Sequence, residues 1–312
     1  MPNITSQNKW KKDGRMERCS RPVISIITPT FNRRLSLQRA IESVQRQTCG
    51  AYEHVIVDDC STDQTADFVG RLNDPRIVYI RGEHWQGANI ARNIGIAAAR
   101  SNLVTFLDSD DEFLADRVEK TIRFFEESPA AQLHLSSFRV LKRGRLRDAI
   151  NPTRFLNGKR LEEVLMAYRV FIAGSSITVR RAVLEKAGGF HPNIRRMQDR
   201  ELLLRLSRYC GGALSAEVDW IKHPSLDSIS RPRQGYLESL NALLEVHADL
   251  AAEYRDVIGY QIARYLLTDV IRGRWWFAYK SLRVNSQASA LRFRVADLVH
   301  LYRTSCRPAL SS

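Results

Sequence analysis

Leu103–Phe113, LVTFLDSDDEF, is the stretch that decides how this chain is read. Leu103, Val104, Thr105, Phe106 and Leu107 form a short apolar run with β-branched members, the pattern of a buried strand. The run ends abruptly in Asp108, Ser109, Asp110, Asp111 and Glu112, four carboxylates in five residues. Such groups repel one another, and desolvating them at a strand end is costly unless a cation shares the charge. In extended backbone Asp108 and Asp110 point to the same side, where both can approach one hard divalent ion at about 2.1 Å, the magnesium distance. The competing reading is a solvated acidic turn that enters the next helix, with Asp111 or Asp116 near its N-terminus.

Upstream, the same alternation repeats. Val23 to Ile27 predicts a buried strand, TPTFN (Thr28 to Asn32) a turn, and Leu35, Leu37, Ala40, Ile41 and Val44 an amphipathic helix. A second strand, His54 to Val57, ends in Asp58 and Asp59, and Ser61 or Thr62 caps a helix bearing Phe68, Val69 and Leu72. Ile77 to Ile80 is a third strand; after the loop Gly82 to Gly87, Ile90, Ile94 and Ala97 share one helix face. Strand and helix alternating in this way predict a mostly parallel α/β sheet covered on both faces, with ligands at the carboxyl ends of its strands. That rule gathers Pro29 to Asn32, Asp58 with Asp59, and Asp108 to Asp110 at one rim. Neither GxGxxG after the first strand nor GxxxxGK[ST] anywhere explains this rim, so a divalent ion, a helix N-terminus and Arg92 are left to hold phosphates. The plain alternative for Arg92 is a surface salt bridge.

Downstream, a helix from Asp116 to about Glu127, a strand from Leu133 to Leu141, a short helix from Gly158 to Tyr168, a strand reaching Val179 and a turn or two of helix over Arg181 to Lys186 follow. KRGRLR, Lys142 to Arg147, reads as a solvated hairpin tip, with anion binding as the other meaning. In MQDRELLLRLSRYC, Leu202, Leu203, Leu206 and Tyr209 give an apolar helix face, and Asp199 is either its cap or a base turned to the rim. VDWIKHP, Val218 to Pro224, is extended, with His223 near its end. Residues 236–258 and 260–283 read as helices, and from Tyr260 on nine Lys or Arg face two Asp, with Trp275, Trp276, Phe277 and Tyr279 together. That segment either lies on an anionic membrane surface or packs on the main domain.

With 312 residues, 44% hydrophobic and 26% charged, the chain has ample material for a core; the net charge of +14 calls for an anionic partner. Cys19, Cys49, Cys60, Cys210 and Cys306 are scattered without a CxxC pair, which argues against a disulfide framework or zinc site and for a reducing cytoplasm. Residues 1–20 are polar and basic, a flexible tail rather than a signal peptide, and no apolar run is long enough to span a bilayer.

SIITPTFNR, VDDCSTDQT, GANIARNIGIAAA, FLDSDD, KAGGF and QDRELLLRL, in this order and spacing, resemble the family-two inverting glycosyltransferases over roughly residues 22–232. The resemblance implies a GT-A fold, Rossmann-like with a mostly parallel central sheet flanked by helices. It divides the chain into a tail (1–20), a glycosyltransferase domain (21–232, with donor half 21–130 and acceptor half 131–232) and a basic helical extension (233–312). It implies a nucleotide-sugar donor, commonly of uridine, with Pro29, Thr30, Asn32, Asp58 and Asp59 at base and ribose. Arg92, Asp108 and Ser109 also fall on the donor side, and Asp110 with Asp108 on the metal (Mn²⁺ or Mg²⁺), with His223, near the diphosphate, as a third metal ligand. Asp199 matches the catalytic base. Gln198 departs from the family's Glu before that Asp, and Cys60 replaces its usual Gly, which strains the backbone if φ there is positive. Asp111 and Glu112 are left as helix-entry charges. The expected activity is sugar transfer to a glycan or lipid-linked acceptor for a surface polysaccharide, by a cytoplasmic enzyme peripheral to the inner face of the membrane, without nucleic acid as a partner. A nucleotidyltransferase on a similar sheet and a non-catalytic basic binding module are the competing classes.

Overall fold

The computed structural model describes residues 21–225, 235–276 and 279; the expected N-terminal tail and the end of the basic extension lie outside these residues. The first half alternates strand and helix: β1 (Ile24–Thr30), α1 (Arg34–Gln45), β2 (Tyr52–Asp58), α2 (Thr65–Gly70), β3 (Ile77–Arg81), α3 (Ala88–Ala98) and β4 (Leu103–Phe106). After β4 come β5 (Glu112–Phe113), α4 (Arg117–Glu127), β6 (Leu133–Lys142), β7 (Arg145–Ala149), β8 (Arg154–Leu156) and α5 (Gly158–Met166). A 3-10 turn, Gly174–Ser176, leads into β9 (Ile177–Arg180), then α6 (Arg181–Lys186), α7 (Gln198–Ser207) and β10 (Gly212–Lys222). The helices α8 (Tyr236–Val246), α9 (Ala248–Glu253) and α10 (Arg255–Ile271) complete the described chain.

One sheet runs β3-β2-β1-β4-β9-β6-β10-β5, with β7 beside β6 and β8 beside β10. The expected parallel order holds from β3 to β4. Beyond β4 the sheet is mixed: β9 is antiparallel to both β4 and β6, and β10 returns parallel to β6. β9 runs against β4 because the chain, after α5, starts it from the turn at Gly174, which lies beside Asp108 at the end where β4 finishes. Alternate β1 residues feed two cores: Ile24 and Ile26 pack with Val118 and Ile122 of α4, Ile27 with Ala91 of α3 and Phe106.

Two helical readings change. The inward face of α3 is Asn89, Ala91, Arg92, Gly95 and Ile96, whereas Ala97 is exposed. Small residues let α3 lie close to the sheet; a Cβ on Gly95 would stand 2.4 Å from Ile27 Cγ2. Ile94 packs against the core from the edge of this face, so the apolar side chains alone place the stripe off its centre. The expected single helix over 236–258 breaks at His247 and Tyr254, and the cause at the first break is visible. His247 is buried with its Nε2 3.3 Å from Glu201 Oε1 of α7 and its Nδ1 3.3 Å from Arg208. Glu201 also accepts both Nε and Nη2 of Arg205 at 2.6 Å. Burial opposes its charge, yet these bonds hold its pKa down at about 2. This network joins the C-terminal helices to α7. Between the halves, buried Arg117 at the start of α4 donates to Asp219 of β10 at 2.5 Å and to Ser136 at 2.7 Å.

Two predictions follow from these interiors. Gly95→Ala forces α3 away from β1 and costs about 1–3 kcal/mol in urea unfolding; an unchanged midpoint contradicts the close contact. His54 and His134 are buried neutral, burial pushing each pKa down from 6.5 to about 3. The unfolded chain thus takes up their protons first, so their stabilisation is intact above pH 6.5 and is lost as pH falls towards 3. Between pH 6 and 5, His134→Gln flattens the stability slope by about 1.4 kcal/mol per pH unit relative to wild type. Parallel slopes for the two proteins contradict it.

Candidate active site

The carboxyl ends of β1, β4 and β10 open onto a cleft of about 650 Å³ that is also lined from α3, from Ile172 and Ala173 just before the 3-10 turn, and from α7 and α8. Pro29, Thr30, Asn32, Asp59, Arg92, Asp108, Ser109, Asp110, Asp199 and His223 all line it; Asp58 is the nominated residue that does not. Asp58 is wholly buried and fully engaged, accepting from Tyr79 Oη at 2.5 Å and the Ser61 amide at 2.8 Å. It holds β2 to β3 and shapes the loop after β2. Asp59 accepts the amides of Gln86 (2.9 Å) and Gly87 (2.6 Å), so it fixes the loop that starts α3. Asn32, at φ +50, ties two rim loops together: its amide donates to Ser61 Oγ and its Oδ1 accepts from the Thr62 amide. Ser61 and Thr62 are thus spent on Asn32 rather than on capping α2, whose N-cap is Gln64.

Left-handed backbone gathers at this cleft. Tyr168 (φ +56) and Met197 (φ +62) line it with Asn32, and Cys60 at φ +70 carries the strain its replacement of glycine implied. Clustering of this kind marks a place where the surrounding fold over-determines geometry.

The acidic strand end is built as a charge-compensated cluster. Oxygens of Asp108, Asp110 and Asp111 lie within 4.8 Å of one another. Arg92, buried on α3 rather than paired at the surface, donates from Nη2 to Asp108 Oδ1 at 2.6 Å, and Arg33 Nη1 donates to Asp110 Oδ2 at 2.8 Å. Asp111 is not a helix-entry charge. It is buried, accepts from Ser175 Oγ at 2.7 Å and from the His223 amide at 3.3 Å, and burial raises its pKa well above the ordinary carboxylate value. Glu112 belongs to β5, and its Oε2 is 3.0 Å from His223 Nε2, so the His223 ring is directed to Glu112. The three-aspartate set is all hard oxygen, the donor type that magnesium-sized divalent ions take, and its atoms are gathered within 4.8 Å of one another. The residues present thus fit Mg²⁺ or Mn²⁺ better through Asp111 than through His223.

Asp199 projects from the first turn of α7 into the same cleft. A Cβ on Gly174 would stand 3.3 Å from Asp199 Oδ1 and 3.3 Å from Asp108 Oδ1, so the two carboxylates flank that glycine. The Gly174 amide hydrogen-bonds Asp199 while its Oδ1 stays buried without a partner. Burial raises the pKa of Asp199; Arg92 and Lys222 pull it down, and Asp108 adds to the rise. Thr30 Oγ1 and Arg92 Nε are two further buried, unpartnered polar atoms on lining residues. Groups of this kind are normally satisfied, so they call for a polar ligand.

Sequence reasoning passed over Lys222, which lines the cleft and whose charge is held by Asp111, Asp108, Asp199 and Asp110 against the cost of burial. Its signal was its position two residues after buried Trp220, on the same strand face. It also passed over the cleft's aromatic walls. Phe31 and Trp85 stand 6.4 Å apart with Arg195 over Trp85. Opposite in kind, Tyr236 of α8 donates to Tyr168 Oη at 3.2 Å and stacks on Tyr265. The C-terminal helices therefore complete the cleft.

The model of the family described as Glycosyl transferase family 2 matches residues 25–188. Among curated relatives, a putative teichuronic acid biosynthesis glycosyltransferase of Bacillus subtilis is 39% identical over 113 residues, 36% of this chain and 45% of the relative. An Escherichia coli protein named as a UDP-Glc:alpha-D-GlcNAc-diphosphoundecaprenol beta-1,3-glucosyltransferase is 35% identical over 104 residues, 33% of this chain and 41% of the relative. The matches thus span less than half the length of these two relatives. The solved structure of S. aureus TarS 1-349 with UDP-GlcNAc superposes with a TM-score of 0.64 at 17% identity, covering 91% of this chain and 90% of that one, which establishes the expected GT-A-type fold. With the family model matched across more than half of its length, the chain belongs to glycosyl transferase family 2.

Proposed function

We propose that this protein is a metal-dependent inverting glycosyltransferase that moves a sugar from a UDP-sugar, or another nucleotide-diphosphate sugar, to a hydroxyl of a glycan or lipid-linked acceptor. The observation that carries the reading is Asp199 Oδ1, buried, unpartnered and across Gly174 from the cation-binding carboxylates. The names of the relatives support it: one solved neighbour holds UDP-GlcNAc, and one curated relative is named for a lipid-linked diphosphate acceptor. Surface polysaccharide synthesis at the inner face of the membrane belongs to the same reading.

The base and ribose lie along Pro29, Thr30, Asn32 and Asp59, with the diphosphate towards Ser109. Asp108, Asp110 and Asp111 would hold Mn²⁺ or Mg²⁺, which would supply charge neutralisation for the departing diphosphate. Lys222 and Arg33 add fixed positive charge beside it. Arg92 fixes Asp108 and, through its own charge, limits the rise that burial gives the pKa of Asp199. Asp199 accepts the acceptor hydroxyl's proton as that oxygen attacks the anomeric carbon; its raised pKa makes it a stronger base than an exposed carboxylate. A single displacement inverts the anomeric configuration and needs no covalent sugar–enzyme intermediate.

Asp199→Asn lowers transfer, read as nucleotide release in the presence of acceptor, by about 10²–10⁴-fold. It preserves the thermal stabilisation given by nucleotide sugar and Mn²⁺; transfer close to wild type removes Asp199 from the role. Gly174→Ala crowds both carboxylates and lowers transfer far more than it lowers the melting temperature; full transfer contradicts the tight contact. Chelating divalent ions abolishes nucleotide-sugar stabilisation, and a shift that survives chelation contradicts metal dependence.

A further inference from the structure

The register of β10 on β6 places Lys222 opposite Val140, so the remainder of β6 and the β6–β7 turn run on beyond the cleft's rim. This finger carries Lys142, Arg143, Arg145 and Arg147, all exposed, and none has an acidic partner among the described residues. Its own carboxylate, Asp148, is taken by Arg139 at 3.0 Å. Lys142 lies directly across from Arg145, and Arg147 across from Val140, so three cations share one ribbon face. Like charges set opposite each other weaken a two-stranded ribbon, and only an external anion relieves this one. The other ribbon face pairs Leu141 with Leu146, the latter 50% exposed at the tip. At the finger's base, Asn151 exchanges hydrogen bonds with the Phe171 amide and carbonyl, which brings Ile150 (48% exposed) and Phe171 (52% exposed) to the same end. Phe171 leads directly into Ile172 and Ala173 of the cleft wall.

A finger with cations on one face and exposed apolar side chains on the other and at its base suits edge-on entry into a bilayer interface, where headgroup phosphates meet the first and acyl chains the second; a nucleic-acid backbone leaves the apolar members unused. We propose that the β6–β7 finger docks this enzyme on an anionic phospholipid surface and holds the acceptor side of the cleft against it. The finger's purpose rests on the glycosyltransferase reading above, but its binding does not require activity.

The test floats full-length protein with vesicles of phosphatidylcholine alone or mixed with phosphatidylglycerol. Wild type floats with the mixed vesicles and is released by salt. Combining Lys142→Ser, Arg145→Ser and Arg147→Ser lowers the affinity by about a hundredfold, at about fivefold per cation near an anionic surface. Leu146→Ser alone gives a smaller loss. Nucleotide-sugar stabilisation, which reads the cleft and confirms folding, is the same in the triple variant as in wild type. Vesicle binding unaffected by the triple change, or lost only with Trp275→Ser and Trp276→Ser, overturns the proposal. So does duplex DNA binding that the triple change abolishes while vesicles remain unbound. Absence of nucleotide-sugar stabilisation in wild type removes the enzymatic reading and leaves the vesicle result standing.

Discussion

Mutual repulsion among Asp108, Asp110, Asp111 and Asp199 is the constraint around which this structure is arranged. Their charges are gathered in one cleft and faced by Arg92, Arg33 and Lys222, each delivered by a different part of the chain. Arg92 reaches Asp108 because α3 lies close to the sheet at Gly95, and Lys222 arrives on β10, which Asp219 anchors to Arg117. In the function proposed above, a divalent ion would share the charge of these carboxylates with the side-chain cations.

Much of this was legible in the sequence because it rests on short-range pattern. Apolar runs ending in acidic residues mark β2 and β4, and the rule that ligands gather at strand carboxyl ends brings Asp59, Asp108 and Asp110 to one rim, where all three line the cleft. What escaped depends on long-range contact. Asp111 is next to Asp110 in sequence, yet its burial is set by Ser175 and by the His223 amide, residues from the second half. The inward stripe of α3 was misplaced because Gly95 and Ala91 pack by being small, a signal that apolar periodicity does not register. The break at His247 likewise follows from a partner on α7, not from a local helix breaker.

The second half contributes chemistry through elements that carry no compact motif. Tyr168 and Tyr236 stand on different helices or their ends and meet through a hydroxyl–hydroxyl bond at the cleft. Glu201, two residues after Asp199, binds Arg205 and His247, so α7 is held from the side facing the C-terminal helices. This wall of the cleft is therefore assembled from three separated parts of the chain. Any of them can change without touching the aspartates of β4.

β9 lies between β4 and β6, hydrogen-bonded to both, and so stitches the two halves into one uninterrupted sheet. Swinging one half against the other across the cleft would break the ladder of β9 to β4 or to β6. In the function proposed above, exchange of spent nucleotide for fresh donor would therefore fall to the surface loops around the cleft, such as the one that carries Trp85 beneath Arg195, while the reacting groups stay in fixed register.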